Sequence, residues 1–527
     1  MRKSFLILTV LAFTQFAKAQ QPGAVIDVQH YKFAITLNDA DNNIKGTAGI
    51  TLKFLKSTNK FTFDLAKKNA AGKGMLITSL KENGKPLHFV QDSDKVEISA
   101  IGKVNTTHTY VIKYEGIPSD GLIISTNKHG HRTFFGDNWP NRGHNWLPLA
   151  DHPADKASVE FIVTAPAHYQ VIANGLKTEE KALPKKQKLT HWKETARLPT
   201  KVMVIGVADF AIDRPGTPNG IPVYTYVFPE DKAVGFKNYA VATKVIPFYS
   251  EKIDPFAYKK LANVQSKTIF GGMENAGAIF YYENSVLGQG IEPLMAHEIA
   301  HQYFGDAVSE KDWPHVWLSE GFATYMTNCY MESRYGVDTL KAAERADRKT
   351  ALSFEKQYKA PVVDTAYKGA LMNILSANPY QKGGWVLHML RRKIGDGAFW
   401  KGISTYYKKY SGANANTDDF RVAMEQASGQ DLKVFFKQWL RTAGHPDLDI
   451  NWKYNPATSS VDIQVEQQQD ALFTFPLEIS VNGKVYKSDI SQKTTAIAIA
   501  STTAQNTVLV DPNVNLFASY IVNGEKK

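Results

Sequence analysis

The sequence predicts an α+β chain of several domains, because its hydrophobic period changes twice along the chain. From about residue 28 to 212 apolar and polar residues alternate; from about 230 to 443 apolar residues recur at helical spacing; past Gly444-His445-Pro446 the alternation returns. The length of 527 residues suits about three domains. A hydrophobic content of 43% and an aromatic content of 12% are enough for large cores. The expected division is an N-terminal antiparallel β domain over residues 20–212, a mainly helical domain over 213–445 and a small β-sandwich over 446–527.

Residues 1–19 read as a secretory signal peptide and not as part of the fold. Arg2 and Lys3 give a basic start, Phe5 to Phe13 an apolar run, and Ala17-Lys18-Ala19 a small-x-small cleavage signal. The run is too short to span a bilayer as a helix. No cysteine follows the cleavage signal, which argues against a lipid anchor, and no other stretch is long and apolar enough to cross a membrane. The expectation is a mature protein starting near Gln20, exported to a periplasm or the medium, with a monomer as the expected state.

The net charge of +11 comes from scattered basic residues and short clusters such as Arg391-Arg392-Lys393. No basic stripe is interleaved with aromatics, so nothing supports nucleic-acid binding. The single cysteine, Cys329, excludes an intrachain disulfide and sits in an apolar helical segment, where a small buried side chain is expected.

In the first domain the alternation is carried by Tyr31, Phe33, Ile35 and Leu37, then Ile50, Leu52 and Phe54, then Phe61, Phe63 and Leu65, with turns at Asn83-Gly84 and Asn174-Gly175. Residues 134–153, FFGDNWPNRGHNWLPLADHP, break the pattern and read as an irregular loop, either functional or a corner packed by Trp139 and Trp146. After Pro229 the apolar spacing of Val234, Tyr239, Val241, Val245 and Phe248 is helical. Strands then lead to Gly271-Gly272-Met273-Glu274-Asn275, where paired glycines let a ligand or another backbone approach closely. Helices are expected over 291–306, 317–335 and 338–355, and a later one with Thr417 as its N-cap. Leu448, Ile450 and Trp452, then Val461, Ile463 and Val465, then Phe475, Leu477, Ile479 and Val481 form the strands of the sandwich.

Chemistry concentrates at His297-Glu298-Ile299-Ala300-His301. On a helix, positions i and i+4 share a face, so both imidazoles can point at one metal ion while Glu298, rotated by about 100°, stands beside it and works on a water. Glu320 follows nineteen residues after His301 in WLSEGFATY, on the next expected helix. Two histidines and one glutamate leave the fourth position of a tetrahedral zinc open, as in catalytic sites. The pentapeptide alone also arises by chance, and two histidines on an apolar helix can be satisfied core residues. Glu320 and two further motifs speak against that.

Those motifs are GGMEN at 271–275 and NPYQKGG at 378–384. Taken in order with HEIAH and Glu320, they make the chain resemble the aminopeptidase N family of zinc metallopeptidases, which includes leukotriene hydrolases. The resemblance spans nearly all of the mature chain. It implies a thermolysin-like catalytic domain over 213–445, one zinc ion per chain on His297, His301 and Glu320, and peptide substrates with a free N-terminus. It further implies that Glu298 is the general base, that Tyr380 donates to the oxyanion and that Glu274 binds the α-amino group. Gly271, Gly272, Met273 and Asn275 would line the first residues of the substrate. Asp137 falls where the family carries a Gln or Glu that helps hold the amine; as a shorter acid it is expected to reach the amine through a water or to bias the pocket toward a particular first residue. Asp306 stands where many members have Asn.

Three other functions are compatible with the zinc motif: a leukotriene-type epoxide hydrolase, an endopeptidase, and a non-catalytic peptide-binding protein. Glu274 argues against the endopeptidase, since an anion there has nothing to bind in mid-chain peptide. The complete set of ligands, base and phenol argues against the non-catalytic protein.

Overall fold

The structure, a computed structural model, describes residues 24–288 and 290–524; the expected signal peptide lies outside them. The chain is an α+β multidomain protein with an N-terminal β region, a helical region carrying the HEIAH segment, and C-terminal β-sheets.

The alternating residues of the N-terminal region build sheets of eight, four and three strands, and the predicted inward set, Tyr31, Phe33, Ile35, Ile50, Leu52, Phe54, Phe61 and Phe63, is buried. The large sheet is not purely antiparallel. Its strand Ile26–Thr36 pairs in parallel with Lys156–Pro166, from His30 opposite Ser158 to Thr36 opposite Thr164. A parallel pair needs a long crossover, and here the rest of the domain between these strands supplies it.

Ala211–Gly216, a strand that crosses the expected boundary after residue 212, pairs with Val223–Val227 and so belongs to the next sheet. That five-stranded sheet runs through parallel neighbours Val223–Val227, Leu261–Ser266 and Ala278–Tyr282, and ends on the short antiparallel edge strand Gly272–Met273. The helices of this region are α1 (Lys232–Tyr239), α2 (Ala242–Lys252), α3 (Ile291–His301), α4 (Trp317–Tyr335), α5 (Val337–Glu355) and α6 (Gly383–Ile394); α1 and α3 pack on the sheet, and α4 packs on α3 and carries α5 and α6. The helical run after Pro229 is thus two helices. The HEIAH helix stops at His301, five residues short of the expected end, and the backbone turns at Gly305 with φ +123°. A Cβ there would overlap the Ser319 hydroxyl, so glycine permits both the turn and the close approach of α4.

The later helix Thr417–Ser428 is capped by Asn416, which forms a capping box with Asp419, and not by Thr417. The Thr417 hydroxyl instead receives the indole N–H of Trp317 at 2.9 Å. Cys329 is buried, as expected. The C-terminal strands form sheets of four and three strands, with Ile450, Ile463, Val465, Leu477 and Ile479 buried.

The N-terminal region is keyed into the helical region by buried polar groups. Lys156 Nζ donates to the carbonyls of Asp306 and Ala307 at 2.9 and 2.8 Å. Lys201 pairs with Glu310 at 2.7 Å, both almost fully buried. Asn174 donates to the Ala276 carbonyl at 2.8 Å. Unsatisfied, each of these would be costly, so they fix the mutual position of the two regions.

Candidate active site

A cavity of about 450 Å³ opens between the edge strand, α3, α4, α5 and the turn before α6. Its wall includes Gly271, Gly272, Met273, Glu274, His297, Glu298, His301, Glu320 and Tyr380, so nine of the eleven residues singled out from the sequence meet there. The other two do not reach it. Asn275 is fully buried and does not line the cavity. Asp137 is fully buried too, and its carboxylate is already engaged: Oδ1 by Arg142 at 2.7 Å, Oδ2 by the Thr268 hydroxyl and the Ile269 N–H, each at 3.1 Å. Two residues on, Trp139 lines the cavity instead. The irregular segment is therefore both a packed corner, with Asn138 accepting from the Trp146 indole at 2.8 Å, and a cavity wall.

His297 and His301 lie one turn apart on α3, with their Nε2 atoms 3.1 Å from each other. Glu320, in the first turn of α4, places Oε2 3.2 Å from His301 Nε2 and 3.7 Å from His297 Nε2. Ligands about 2.0–2.1 Å from a tetrahedral zinc stand about 3.3 Å apart, so the three atoms are spaced for one ion. Glu320 Oε2 is buried without a hydrogen-bond partner, which a cation would satisfy. His301 Nδ1 is 3.1 Å from both the Phe304 carbonyl and the Ser319 hydroxyl; donation to that carbonyl leaves Nε2 as the free lone pair. The donor set fits zinc.

Electrostatics agree. Burial works against Glu320's charge, yet His301 and His297 hold its carboxyl well below the usual range. For Glu298, burial pushes the carboxyl up to about 8, with Glu274 and Glu320 adding to the shift against His301. Glu274 is raised by burial, and its Oε1 has no hydrogen-bond partner. The Tyr380 phenol is raised well above its ordinary range by burial and by Glu320, Glu274 and Glu298. Its ring stacks parallel to His297 at 6.1 Å. Three acids and no lysine or arginine line this part of the wall among the described residues, so the cavity is built for cations.

Supporting residues not singled out from the sequence hold these groups. Gln302, the residue after the HEIAH helix, donates to the Glu274 carbonyl at 2.6 Å and accepts from the Gly277 N–H at 2.7 Å. It clamps the GGMEN turn to the HEIAH helix, and its adjacency to His301 is its only signal in the sequence. Gly321 and Gly383 let α4 meet the turn Asn378–Lys382: a Cβ on Gly321 would lie 2.8 Å from the Gly383 carbonyl carbon. Lys382, beside Glu355, anchors that turn from behind and donates to the Gly444 carbonyl at 2.8 Å.

Residues 238–439 match the peptidase family M1 domain, and residues 27–202 the peptidase M1 N-terminal domain. A leucyl aminopeptidase of Saccharolobus solfataricus is 26% identical over 449 residues, covering 78% of this chain and 54% of that protein. A probable aminopeptidase 2 of Sulfurisphaera tokodaii is 27% identical, over 81% and 57%. The chain thus spans about half the length of these relatives. The crystal structure of Legionella pneumophila aminopeptidase A in complex with aspartic acid has the same fold, with a TM-score of 0.82 at 17% identity, over 96% of this chain and 60% of that one.

Proposed function

The chain belongs to peptidase family M1, and on that premise we propose that it is a zinc-dependent aminopeptidase, exported by the leader at residues 1–19, that removes the first residue of peptides. The observation that carries this reading is the meeting, in one cavity, of a three-ligand cluster with Glu274, a buried carboxylate whose Oε1 has no partner. An unpaired buried anion calls for a cation, and a peptide offers one only at its N-terminus or on a basic side chain.

His297, His301 and Glu320 would hold the zinc ion, which when bound polarises the scissile carbonyl and acidifies a water. Glu274 binds the ammonium of the first residue and so sets the distance from the chain end at which cleavage falls. The edge strand Gly272–Met273 is paired on one side only, with Ala278–Tyr282, and its free side can hold an extended peptide backbone. Glu298, whose raised pKa suits proton exchange near neutrality, takes the proton from water at its carboxylate and passes it to the leaving nitrogen. Tyr380 keeps its phenolic proton and donates it as a hydrogen bond to the carbonyl oxygen as charge develops there.

The test is release of amino-acid arylamides with and without a chelator, followed by peptides with free and acetylated N-termini. Chelator-sensitive release and strong preference for the free terminus are expected. No release from any residue sinks the reading; equal cleavage of acetylated peptides replaces it with an endopeptidase.

A further inference from the structure

The end of the cavity away from the metal cluster has its own chemistry. Thr324, Thr327 and Asn328 follow Glu320 along α4, and Asp347 reaches the same end from α5. Asn328 stands eight residues beyond Glu320. That is about 12 Å along the helix axis, so a long side chain on the first residue would extend toward this end.

The polar groups here have spent their hydrogens. Thr324 Oγ1 donates to the Glu320 carbonyl and Thr327 Oγ1 to the Ala323 carbonyl, each at 2.8 Å. Asn328 Nδ2 donates to Glu344 Oε1 at 3.2 Å and to Asp347 Oδ2 at 3.0 Å, so both its amide hydrogens are used. With those hydrogens used, the capacity left on these four lining residues is acceptor: two hydroxyl oxygens, an amide oxygen and a carboxylate. Among the described residues Asp347 pairs with no basic side chain, and no lysine or arginine lines the cavity.

Glu274, Glu298 and Glu320 are the acids around the metal cluster. Asp347 is a fourth acid in the same wall, left without a counter-charge.

Building on the aminopeptidase reading, we infer that this end of the cavity selects a first residue with a cationic side chain, lysine or arginine, and that Asp347 is the residue that recognises it. Asn328 fixes the Asp347 carboxylate, while Leu294 and Leu375 in the same wall suit the methylene stem of such a side chain. An acidic side chain would meet like charge. An apolar one would cover the acceptors without replacing their water.

The experiment is steady-state kinetics of the zinc-loaded protein on arginyl, lysyl, alanyl, leucyl and glutamyl arylamides. Arginine and lysine are expected to exceed alanine and leucine in kcat/KM by about tenfold or more, with glutamate lowest. Asp347→Asn should lower the arginine-to-alanine ratio by about tenfold, Asp347→Glu should keep most of it, and Asp347→Lys should shift preference toward glutamate. A wild-type arginine-to-alanine ratio of one or less, release of glutamate ahead of lysine, or a ratio unmoved by Asp347→Asn would each overturn the inference. Release of alanine or leucine without arginine would refute this inference alone. A panel in which nothing is released would refute the aminopeptidase reading with it.

Discussion

Gly272 lies directly against Glu298: a Cβ added at Gly272 would overlap the Glu298 carboxylate at Oε1, Cδ and Cγ. The next glycine back, Gly271, has nothing within 4 Å of its Cβ position. The pair of glycines is therefore not one flexible hinge. One of them makes room for the Glu298 carboxylate.

From this contact, Gly272→Ala should displace the Glu298 carboxylate and lower kcat by at least about tenfold, since small misplacements of a reacting group are expensive. Gly271→Ala should cost far less. Equal losses in the two variants would mean that backbone freedom, and not the room left for Glu298, is what the glycines provide.

Metal content separates ligand from base. Glu320→Ala is expected to lose zinc, because it removes one of three donors, whereas Glu298→Ala should retain zinc and lose turnover. Elemental analysis of the purified variants decides it. Full occupancy in Glu320→Ala would remove that residue from the ligand set.

Tyr380→Phe removes a hydroxyl and little volume. A lost oxyanion donor costs about 10² to 10³ in kcat, so kcat should fall by that order while KM moves little. A rise in KM at constant kcat would make the phenol a ground-state binder of substrate.

A stability prediction concerns Asp155, outside the cavity. Burial, with Asp27 beside it, pushes its carboxyl up to about 8, and its Oδ1 has no hydrogen-bond partner. The folded state thus holds this proton more tightly than the unfolded chain, whose pKa is about 3.9. Stability from this group is present at low pH and is lost as pH rises toward 8. Asp155→Asn, which cannot ionise, should raise Tm more at pH 8 than at pH 5, by about a few degrees. Thermal denaturation at both pH values tests it; an equal shift at both would mean that Asp155 is not held protonated.

Much of the site was legible because its chemistry is written in contiguous motifs. The spacing of His297 and His301 puts both on one helix face whatever the tertiary context, and Glu320 sits in a segment whose apolar residues already fix its helix. The change of hydrophobic period marked the three regions for the same reason. Long-range partners were not legible. Asp137 could be placed beside Trp139 in the chain, but not turned: its acid faces Arg142, Thr268 and Ile269, and the tryptophan takes the cavity wall. Asp347 carries no local signal, since its meaning depends on α5 packing across α4. The parallel pairing of Ile26–Thr36 with Lys156–Pro166 joins strands about 130 residues apart, which alternation cannot report.

The ammonium of Lys156 has a consequence for how this protein can be taken apart. Burial lowers its pKa to about 7, and it spends its hydrogens on two carbonyls just past the HEIAH helix. Separating the β region from the helical region would strand that ammonium on one fragment and both carbonyls on the other. The cavity is thus held from outside its own walls: a cut between the two regions leaves neither piece with its buried polar groups met.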